Sequence, residues 1–223
     1  MESIQEEPDL PFLDRRAAGV GLARVLHAPA DAIVLGIARG GVVVAAAVAE
    51  ALRLALDVIV VRKVGHPMQP ELAIGAVSSH GEAVATEHAA GFSQAVSQSL
   101  FSRASLQARA LEERLRGDNP PLALDGKPLI IIDDGIATSA TMMCALSTAG
   151  KLGARHITCA VPVAPADCAA HLRPHCDELV VLVASGELPF AVGRYYFMFN
   201  EVTDARVRDE LARSRQRMQS PPG

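Results

Sequence analysis

The sequence predicts an α/β fold built on a doubly wound, mostly parallel sheet. Short β-branched runs alternate along the chain with longer segments of helical periodicity. The strand candidates are apolar throughout, as in a parallel sheet that helices cover on both faces, and the crossovers between them are then expected to be right-handed. With 223 residues, the chain is long enough for a single domain with a sizeable core, expected over about residues 30–185.

Each element is predicted from its local pattern. The predicted strands are 32–37, 57–63, 128–134, 156–163 and 178–183, and a hairpin is predicted from 72–77 and 83–85 around the turn residues at 79–81. The predicted helices are 41–52, 93–116, 140–152, 166–172 and 204–217, several of them followed by glycine or proline. Residues 218–223 are expected to be a disordered tail.

Composition excludes several classes of protein. The net charge of −4 provides no general attraction to phosphate backbones, and with 4% aromatic residues and no Trp there is little to stack on bases, so nucleic acid is not an expected partner. The four cysteines form no CxxC pair, which favours a reducing compartment. No signal peptide is visible, and the longest apolar run, 42–49, is far shorter than the ~20 residues of a membrane span. We therefore expect a soluble cytoplasmic protein.

The most informative segment runs from residue 129 to residue 141. An apolar strand ends in two adjacent carboxylates, Asp133 and Asp134, and a loop of small and hydroxylated residues then opens a helix. Paired acceptors suit vicinal hydroxyls or a hydrated cation, whereas loop amides at a helix N-terminus suit a phosphate. Both together are typical of a ribose 5-phosphate site. The alternative, a capped helix with local turn bonds, would need only one of the two carboxylates.

This segment resembles the motif with which type I phosphoribosyltransferases bind phosphoribosyl pyrophosphate (PRPP). The resemblance implies that Asp133 and Asp134 bind the ribose 2- and 3-hydroxyls. It also implies a 5-phosphate loop formed by Ala137, Thr138, Ser139, Ala140 and Thr141. Ser139 stands where the family often has glycine, and Gly135 where a bulkier apolar residue is common, but neither departure removes a ligand group.

Two further segments fit the same family. The turn after the first strand, 38–41, resembles the family's pyrophosphate loop, although glycines there could also serve only close packing. A basic pair ends the second strand, where several members carry Arg-Lys at the start of a mobile loop; a solvated strand end is the alternative. The implied pyrophosphate ligands are Ala38, Arg39, Gly40, Gly41, Arg62 and Lys63. Because ligands bind where strand order switches, the 38–41 turn and the 133–141 loop are expected to face each other.

The resemblance implies an enzyme that transfers the 5-phosphoribosyl group of PRPP to a nitrogen nucleophile, with a nucleobase as the expected acceptor, and releases pyrophosphate. Asp133, Asp134 and Arg39 are the implied catalytic residues. Mg²⁺ is the implied cofactor, held through PRPP near the acidic pair without a direct protein ligand. In the 6-oxopurine branch an Asp stands at the position of Ala137, so hypoxanthine and guanine are less expected. A homodimer is also implied.

The terminal segments, 1–29 and 186–217, are expected by the same resemblance to form a small hood over the base. The hood contains the aromatic residues Phe12, Phe190, Tyr195, Tyr196 and Phe197; core packing is the default for these rings, and one of them could stack on a base. Arg15 and Arg16 are predicted to lie on a solvated helix face, as are residues 213–217.

Two alternatives remain open at this stage. One is a regulatory protein that senses PRPP or a nucleotide on the same fold and has lost turnover. The other is a metal or redox protein that uses the cluster from Cys168 to Cys176, although four ligands within nine residues leave little room for tetrahedral geometry. His66 and His88 have no carboxylate partner that the sequence identifies, so neither is predicted to be catalytic.

Overall fold

The computed structural model of the protein describes residues 10–219, with every side chain except those of residues 70 and 71. Residues 1–9, which belong to the predicted hood, and the predicted tail from residue 220 onward lie outside this range. Residues 218 and 219, which the sequence pattern assigns to the tail, belong to the last helix. Within the described range, no helix has the length and apolar character to cross a membrane.

The described chain forms eight strands and six α-helices. The strands are β1 Ile33–Ile37, β2 Ala55–Ile59, β3 Val61–His66, β4 Gln69–Ser78, β5 Ala83–Ala85, β6 Pro128–Ile132, β7 His156–Pro165 and β8 Glu178–Ser185. The helices are α1 Arg15–Val25, α2 Gly40–Leu52, α3 Gln94–Arg116, α4 Ser139–Lys151, α5 Cys168–Leu172 and α6 Asp204–Gln219. Most of the predicted helices and strands are present, with boundaries within a few residues of the predicted ones. Helix α1 is not among the predicted helices.

Five strands form one parallel sheet in the order β2-β1-β6-β7-β8. Alternate side chains of each strand enter two separate cores, because successive residues of a strand point to opposite faces. Val34 and Ile130 belong to the core beneath α1, α2, α3 and α6, whereas Ile33 and Leu129 belong to the core beneath α4 and α5. This confirms the predicted doubly wound parallel sheet. The strand order switches between β1 and β6.

The single strand predicted at 57–63 is wrong. The chain leaves the parallel sheet after Ile59 and enters a second, antiparallel sheet at Val61, in the order β3-β4-β5. The apolar run is continuous across this corner, so periodicity alone does not show the break. One consequence corrects the family expectation for Arg62 and Lys63: they lie inside β3, paired with Val77 and Ala76 of β4, rather than at the start of a loop.

The segment before α1 and the segment before α6 meet near the carboxyl end of the parallel sheet. The Phe12 amide donates to the Tyr195 carbonyl at 2.8 Å, and the Phe197 amide donates to the Phe12 carbonyl at 2.8 Å. The Met198 amide then donates to the carbonyl of Leu13. Helices α1 and α6, which flank these contacts, both pack against α2. Residues from both ends are thereby held beside the loops that follow β1 and β6.

Because α1 packs closely on α2, two glycines of α1 are expected to tolerate replacement by Ala differently. A Cβ at Gly19 would lie 2.5 Å from the Val44 carbonyl oxygen and 2.7 Å from the Ala47 Cβ, whereas one at Gly21 would meet only the end of the Leu182 side chain at 3.2 Å. Replacing either glycine by Ala raises helix propensity equally. Overpacking therefore makes Gly19→Ala less stable than Gly21→Ala by about 1–3 kcal/mol. Urea unfolding of the two variants measures the difference, and equal stabilities would contradict the close packing.

Candidate functional site

The acidic pair lies immediately beyond β6, at the switch in strand order. The Asp134 amide donates to Asp133 Oδ1 at 2.9 Å, which fixes the Asp133 carboxyl against the backbone of its neighbour. Burial removes water from the Asp133 carboxyl and the charge of Asp134 opposes its ionisation, and together they raise the pKa of Asp133 well above its ordinary value. A ligand that brings hydrogen-bond donors or positive charge would stabilise the ionised form of this carboxyl group.

The turn after β1 touches this acidic pair directly. A Cβ at Gly40 would overlap Asp134 Oδ2, and a Cβ at Gly41 would lie 2.6 Å from the Ile132 carbonyl oxygen and 2.8 Å from the Asp133 Cα. These two positions therefore need glycine so that the turn can approach the end of β6. The predicted meeting of the 38–41 turn with the 133–141 loop is observed, and it follows from the pairing of β1 with β6.

A cationic cavity of about 330 Å³ adjoins the turn. It is lined by five of the six predicted pyrophosphate residues, all but Gly41, together with residues from both ends of the described chain and from α3: Arg15, Ala38, Arg39, Gly40, Val61, Arg62, Lys63, Leu111 and Val202. The structure thus brings together basic side chains from α1, the turn and β3. Such a concentration of positive charge suits a polyanion.

Arg39 is not free in this cavity. Its Nη1 donates to Glu201 Oε1 at 3.1 Å, and its Nε lies 2.8 Å from Asp204 Oδ1 in an ion pair without hydrogen-bond geometry. Although desolvation acts in the opposite direction, Arg114 and Arg39 together hold the pKa of Asp204 below its ordinary value. A pyrophosphate at Arg39 would therefore displace these carboxylates or share Arg39 with them. The sequence did not indicate that Arg39 has these two partners.

A second cavity, of about 510 Å³, adjoins the start of α4. Thr138, Ser139 and Ala140 of the predicted 5-phosphate loop line it, whereas Ala137 and Thr141 do not. Thr138 stands at the N-cap position of α4, and its side chain makes no capping hydrogen bond, so that role does not occupy the hydroxyl. The opposite wall comes from the antiparallel sheet and the turn after it, and it includes Lys63 and His88.

Lys63 lines both cavities. The acidic pair belongs to neither lining, but Asp134 lies against Gly40 at the first cavity, and Thr138 of the second cavity follows it by four residues in the same loop. The two cavities therefore share Lys63 and flank the loops that follow β1 and β6. His88, which is not a predicted catalytic residue, lines the second cavity together with His171 of α5.

Arg15 is the principal residue of the site that sequence reasoning missed. The prediction of a solvated face is correct for Arg16, which pairs with Glu50 with about half of its side chain exposed. It is wrong for Arg15, whose side chain is only 11% exposed and whose Nε donates to Asp134 Oδ2 at 2.7 Å. The two partners are 119 residues apart in the sequence, and no local pattern distinguishes Arg15 from its neighbour.

The aromatic residues at the ends of the described chain pack mainly on one another. Phe12 and Tyr196 are buried with ring centroids 5.6 Å apart, and Phe190 stacks on Tyr195 at 5.5 Å. The Tyr196 hydroxyl donates to the Asp134 carbonyl at 2.5 Å, which ties this aromatic cluster to the acidic pair. Of the predicted stacking candidates, Phe197 is the most exposed, at 77%.

The cluster from Cys168 to Cys176 has no metal-binding geometry. Among residues 10–219, no group of three or more His, Cys, Asp or Glu side chains is arranged to hold a metal ion. Burial, together with the adjacent carboxylate of Asp167, raises the pKa of the Cys168 thiol, which disfavours the thiolate that a metal would require. The interpretation as a metal protein therefore has no support in the described residues.

Similarity to known proteins identifies the family of this chain. The family model described as the phosphoribosyl transferase domain matches residues 28–192. The chain belongs to this phosphoribosyl transferase family. The predicted resemblance is thus confirmed, and so is the predicted fold, which is shared with the crystal structure of TT1426 from Thermus thermophilus. That protein is 40% identical to this chain, with a TM-score of 0.75 over 91% of this chain and 98% of its own.

The curated relatives of this phosphoribosyl transferase are longer than the region that matches it. Two Mycobacterium tuberculosis proteins, whose names assign them provisionally as phosphoribosyl transferases, are each 38% identical over 201 residues. The match covers 88% of this chain but only 45% of each relative. The chain therefore spans less than half the length of these curated relatives.

Proposed function

We propose that this protein transfers the 5-phosphoribosyl group of PRPP to a nitrogen nucleophile of the nucleobase type and releases pyrophosphate. One observation carries the proposal: Lys63 lines both a cationic cavity and a cavity that holds the hydroxyls of Thr138 and Ser139, and Asp134 lies against Gly40 at the first of them. PRPP has the matching order of groups, with a 5-phosphate, a ribose diol and a pyrophosphate. Membership of the phosphoribosyl transferase family supports the same assignment.

The proposed reaction breaks the bond between ribose C1 and the pyrophosphate oxygen while a nitrogen lone pair bonds to C1. Positive charge develops at C1 and negative charge on the leaving group. Arg39, Arg62 and Lys63 would stabilise the leaving pyrophosphate, and Asp133 and Asp134 would hold the ribose hydroxyls and favour the positive charge nearby. Ala137 has no acid–base group, so the proton of the acceptor nitrogen would pass to water or to the departing pyrophosphate.

Mg²⁺ fits the donors present at this site. The ion prefers oxygen ligands and keeps several of its waters, and the acidic pair and the loop hydroxyls of Thr138 and Ser139 offer oxygen only. Since Asp134 already gives Oδ2 to Arg15, the ion would be held mainly by PRPP oxygens and by water near the pair. When bound, Mg²⁺ would offset part of the charge on the leaving pyrophosphate.

Release of pyrophosphate that depends on both Mg·PRPP and an added base tests this function. We expect the wild-type chain to release pyrophosphate with at least one member of a nucleobase panel. Because Arg39→Gln removes a charge-assisted contact to the leaving group, it should lower the rate by roughly 10- to 100-fold. Arg24→Gln, an exposed arginine in the last turn of α1, is the matched control and should leave the rate unchanged. Equal rates in Arg39→Gln and wild type would contradict the proposed site.

A second candidate is a regulatory protein that binds PRPP or a nucleotide with little turnover. It is favoured by the internal pairing of the site's charges, since Glu201 and Asp204 hold Arg39 and Arg15 holds Asp134. Binding of an anion would release the segment that carries these carboxylates, and such a release can act as a signal. A gel-shift with RNA that strengthens with PRPP, without base-dependent pyrophosphate release, would select this candidate.

We extend the proposal to a homodimer in the cytoplasm. The homodimer rests on the family resemblance alone, and sedimentation equilibrium of the purified chain tests it. The four cysteines are all free thiols, in accord with a reducing compartment.

A further inference from the structure

Arg15 joins three parts of the fold at the acidic pair. Its Nε donates to Asp134 Oδ2 at 2.7 Å, its Nη1 donates to the Asn200 carbonyl at 2.7 Å, and its guanidinium carbon lies 3.9 Å from the centroid of the Phe199 ring. We propose that Arg15 is a positioning residue, which holds the Asp134 carboxylate in the orientation that accepts a ribose hydroxyl of PRPP. The inference rests on the proposed function.

The Asp134 carboxylate needs such a partner. It lies beside the partly buried carboxyl of Asp133, and two neighbouring carboxylates repel each other unless a positive charge is close. Arg15 supplies that charge from one side, through the hydrogen bond of its Nε to Oδ2. A carboxylate fixed by one oxygen keeps the other available as an acceptor, without the rotational freedom that a solvated side chain would lose on binding.

Arg15 is itself held rigidly. Asp14 caps α1 through its side chain, which accepts from the Ala17 amide at 2.8 Å, so the helix begins at a fixed point next to Arg15. The guanidinium then lies between the Phe199 ring and the acidic pair with 11% of the side chain exposed. Cation–π contact and a hydrogen bond to backbone fix its plane, which a flexible lysine would not reproduce fully.

The close packing around Gly40 agrees with this role of Arg15. A Cβ at Gly40 would lie 3.0 Å from Arg15 Nε and would overlap Asp134 Oδ2, so the ion pair occupies the space directly behind the turn that carries Arg39. Arg15 also lines the cationic cavity. The ion pair is thus built into the junction between the predicted diol site and the predicted pyrophosphate site.

A purely structural role is the alternative, in which Arg15 only fastens α1 to the sheet. Both roles lower stability when Arg15 is replaced, so stability does not separate them. Ligand selectivity does, because PRPP contains the ribose diol and pyrophosphate does not. If Arg15 positions Asp134, its replacement weakens the binding of Mg·PRPP more than the binding of Mg·pyrophosphate. If its loss only loosens the site, both affinities fall alike.

Isothermal titration with Mg·PRPP and with Mg·pyrophosphate tests the inference on the full chain. For Arg15→Gln we expect Mg·PRPP binding to weaken by roughly 10- to 100-fold, as for loss of a charge-assisted hydrogen bond, and Mg·pyrophosphate binding to weaken much less. Arg15→Lys should recover part of the loss, since it retains the charge. Arg16→Gln, whose native partner is Glu50 on the outer surface, is the matched control and should leave both affinities unchanged.

An unchanged ratio of the two affinities in Arg15→Gln overturns the inference. If Arg15→Gln does not fold, Phe199→Leu replaces it: the charge stays, the ring that orients it is lost, and the same ratio should move in the same direction by about 2- to 5-fold. An unchanged ratio in that variant also overturns the inference. Failure of the wild-type protein to bind either ligand would instead overturn the proposed function, so the two failures are distinguishable.

Discussion

Replacing Asp133 and Asp134 together by Asn is expected to abolish the thermal stabilisation that Mg·PRPP confers on the wild-type protein. A ligand at about 100 times its dissociation constant stabilises the folded state by roughly 2.7 kcal/mol, which for a domain of this size corresponds to about 5–10 °C in Tm. The double variant keeps the shape of the site, but it lacks the charges that hold the ribose hydroxyls and attract the hydrated Mg²⁺. Its Tm should therefore be the same with and without the ligand.

The comparison uses the ligand-induced shift of each protein, since the loss of the Arg15 partner also changes the stability without ligand. Asp118→Asn/Asp209→Asn is the control, because it removes the same charge from two exposed positions and should retain the full shift. A shift of wild-type size in the Asp133/Asp134 variant would show that Mg·PRPP binds elsewhere or does not need the pair.

Arg116→Ala is expected to lower the free energy of unfolding by about 3–5 kcal/mol, more than the overpacking expected for Gly19→Ala. The Arg116 Nη1 donates to the buried Asp57 Oδ1 at 2.5 Å, and Nη2 donates to the Val58 carbonyl at 3.1 Å. Although burial acts in the opposite direction, the charges of Asp57 and Glu112 raise the pKa of Arg116. Removing the guanidinium would leave the Asp57 carboxylate at 1% exposure without its counter-charge.

Urea unfolding measures this loss, with Arg114→Ala as the control. Arg114 lies two residues away on the same helix and pairs with Asp204, but its side chain is 56% exposed. An exposed pair of this kind contributes about 1 kcal/mol or less. Similar losses in the two variants would contradict the assignment of Arg116 as the partner of a buried charge.

The parallel sheet could be predicted from the sequence because its strands are short apolar runs between helices. The acidic pair and the 38–41 turn could also be predicted to meet, since strand order alone brings the ends of β1 and β6 together. The corner between Ile59 and Val61 could not, because the residues on both sides are equally apolar and the change of sheet depends on which strands are available as partners.

Contacts between distant charged residues also escaped prediction. Arg15 and Arg16 are identical in type and adjacent in sequence, yet one lies in the site and the other lies in solvent. Only the position of α1 on α2 decides between them. The same holds for Glu201, which is 85% exposed and resembles an ordinary surface carboxylate until Arg39 is placed beside it.

The long separation between the two halves of the site has a consequence for its biosynthesis. The Tyr196 hydroxyl reaches back 62 residues to Asp134, and Glu201 reaches back 162 residues to Arg39. At about 5–20 residues per second, a ribosome needs roughly 3–12 s to extend the chain from the acidic pair to Tyr196. Throughout that interval the nascent chain carries Arg39 and the acidic pair without their C-terminal partners. The carboxylates of Glu201 and Asp204 that pair with Arg39 are therefore the last part of the site to be synthesised.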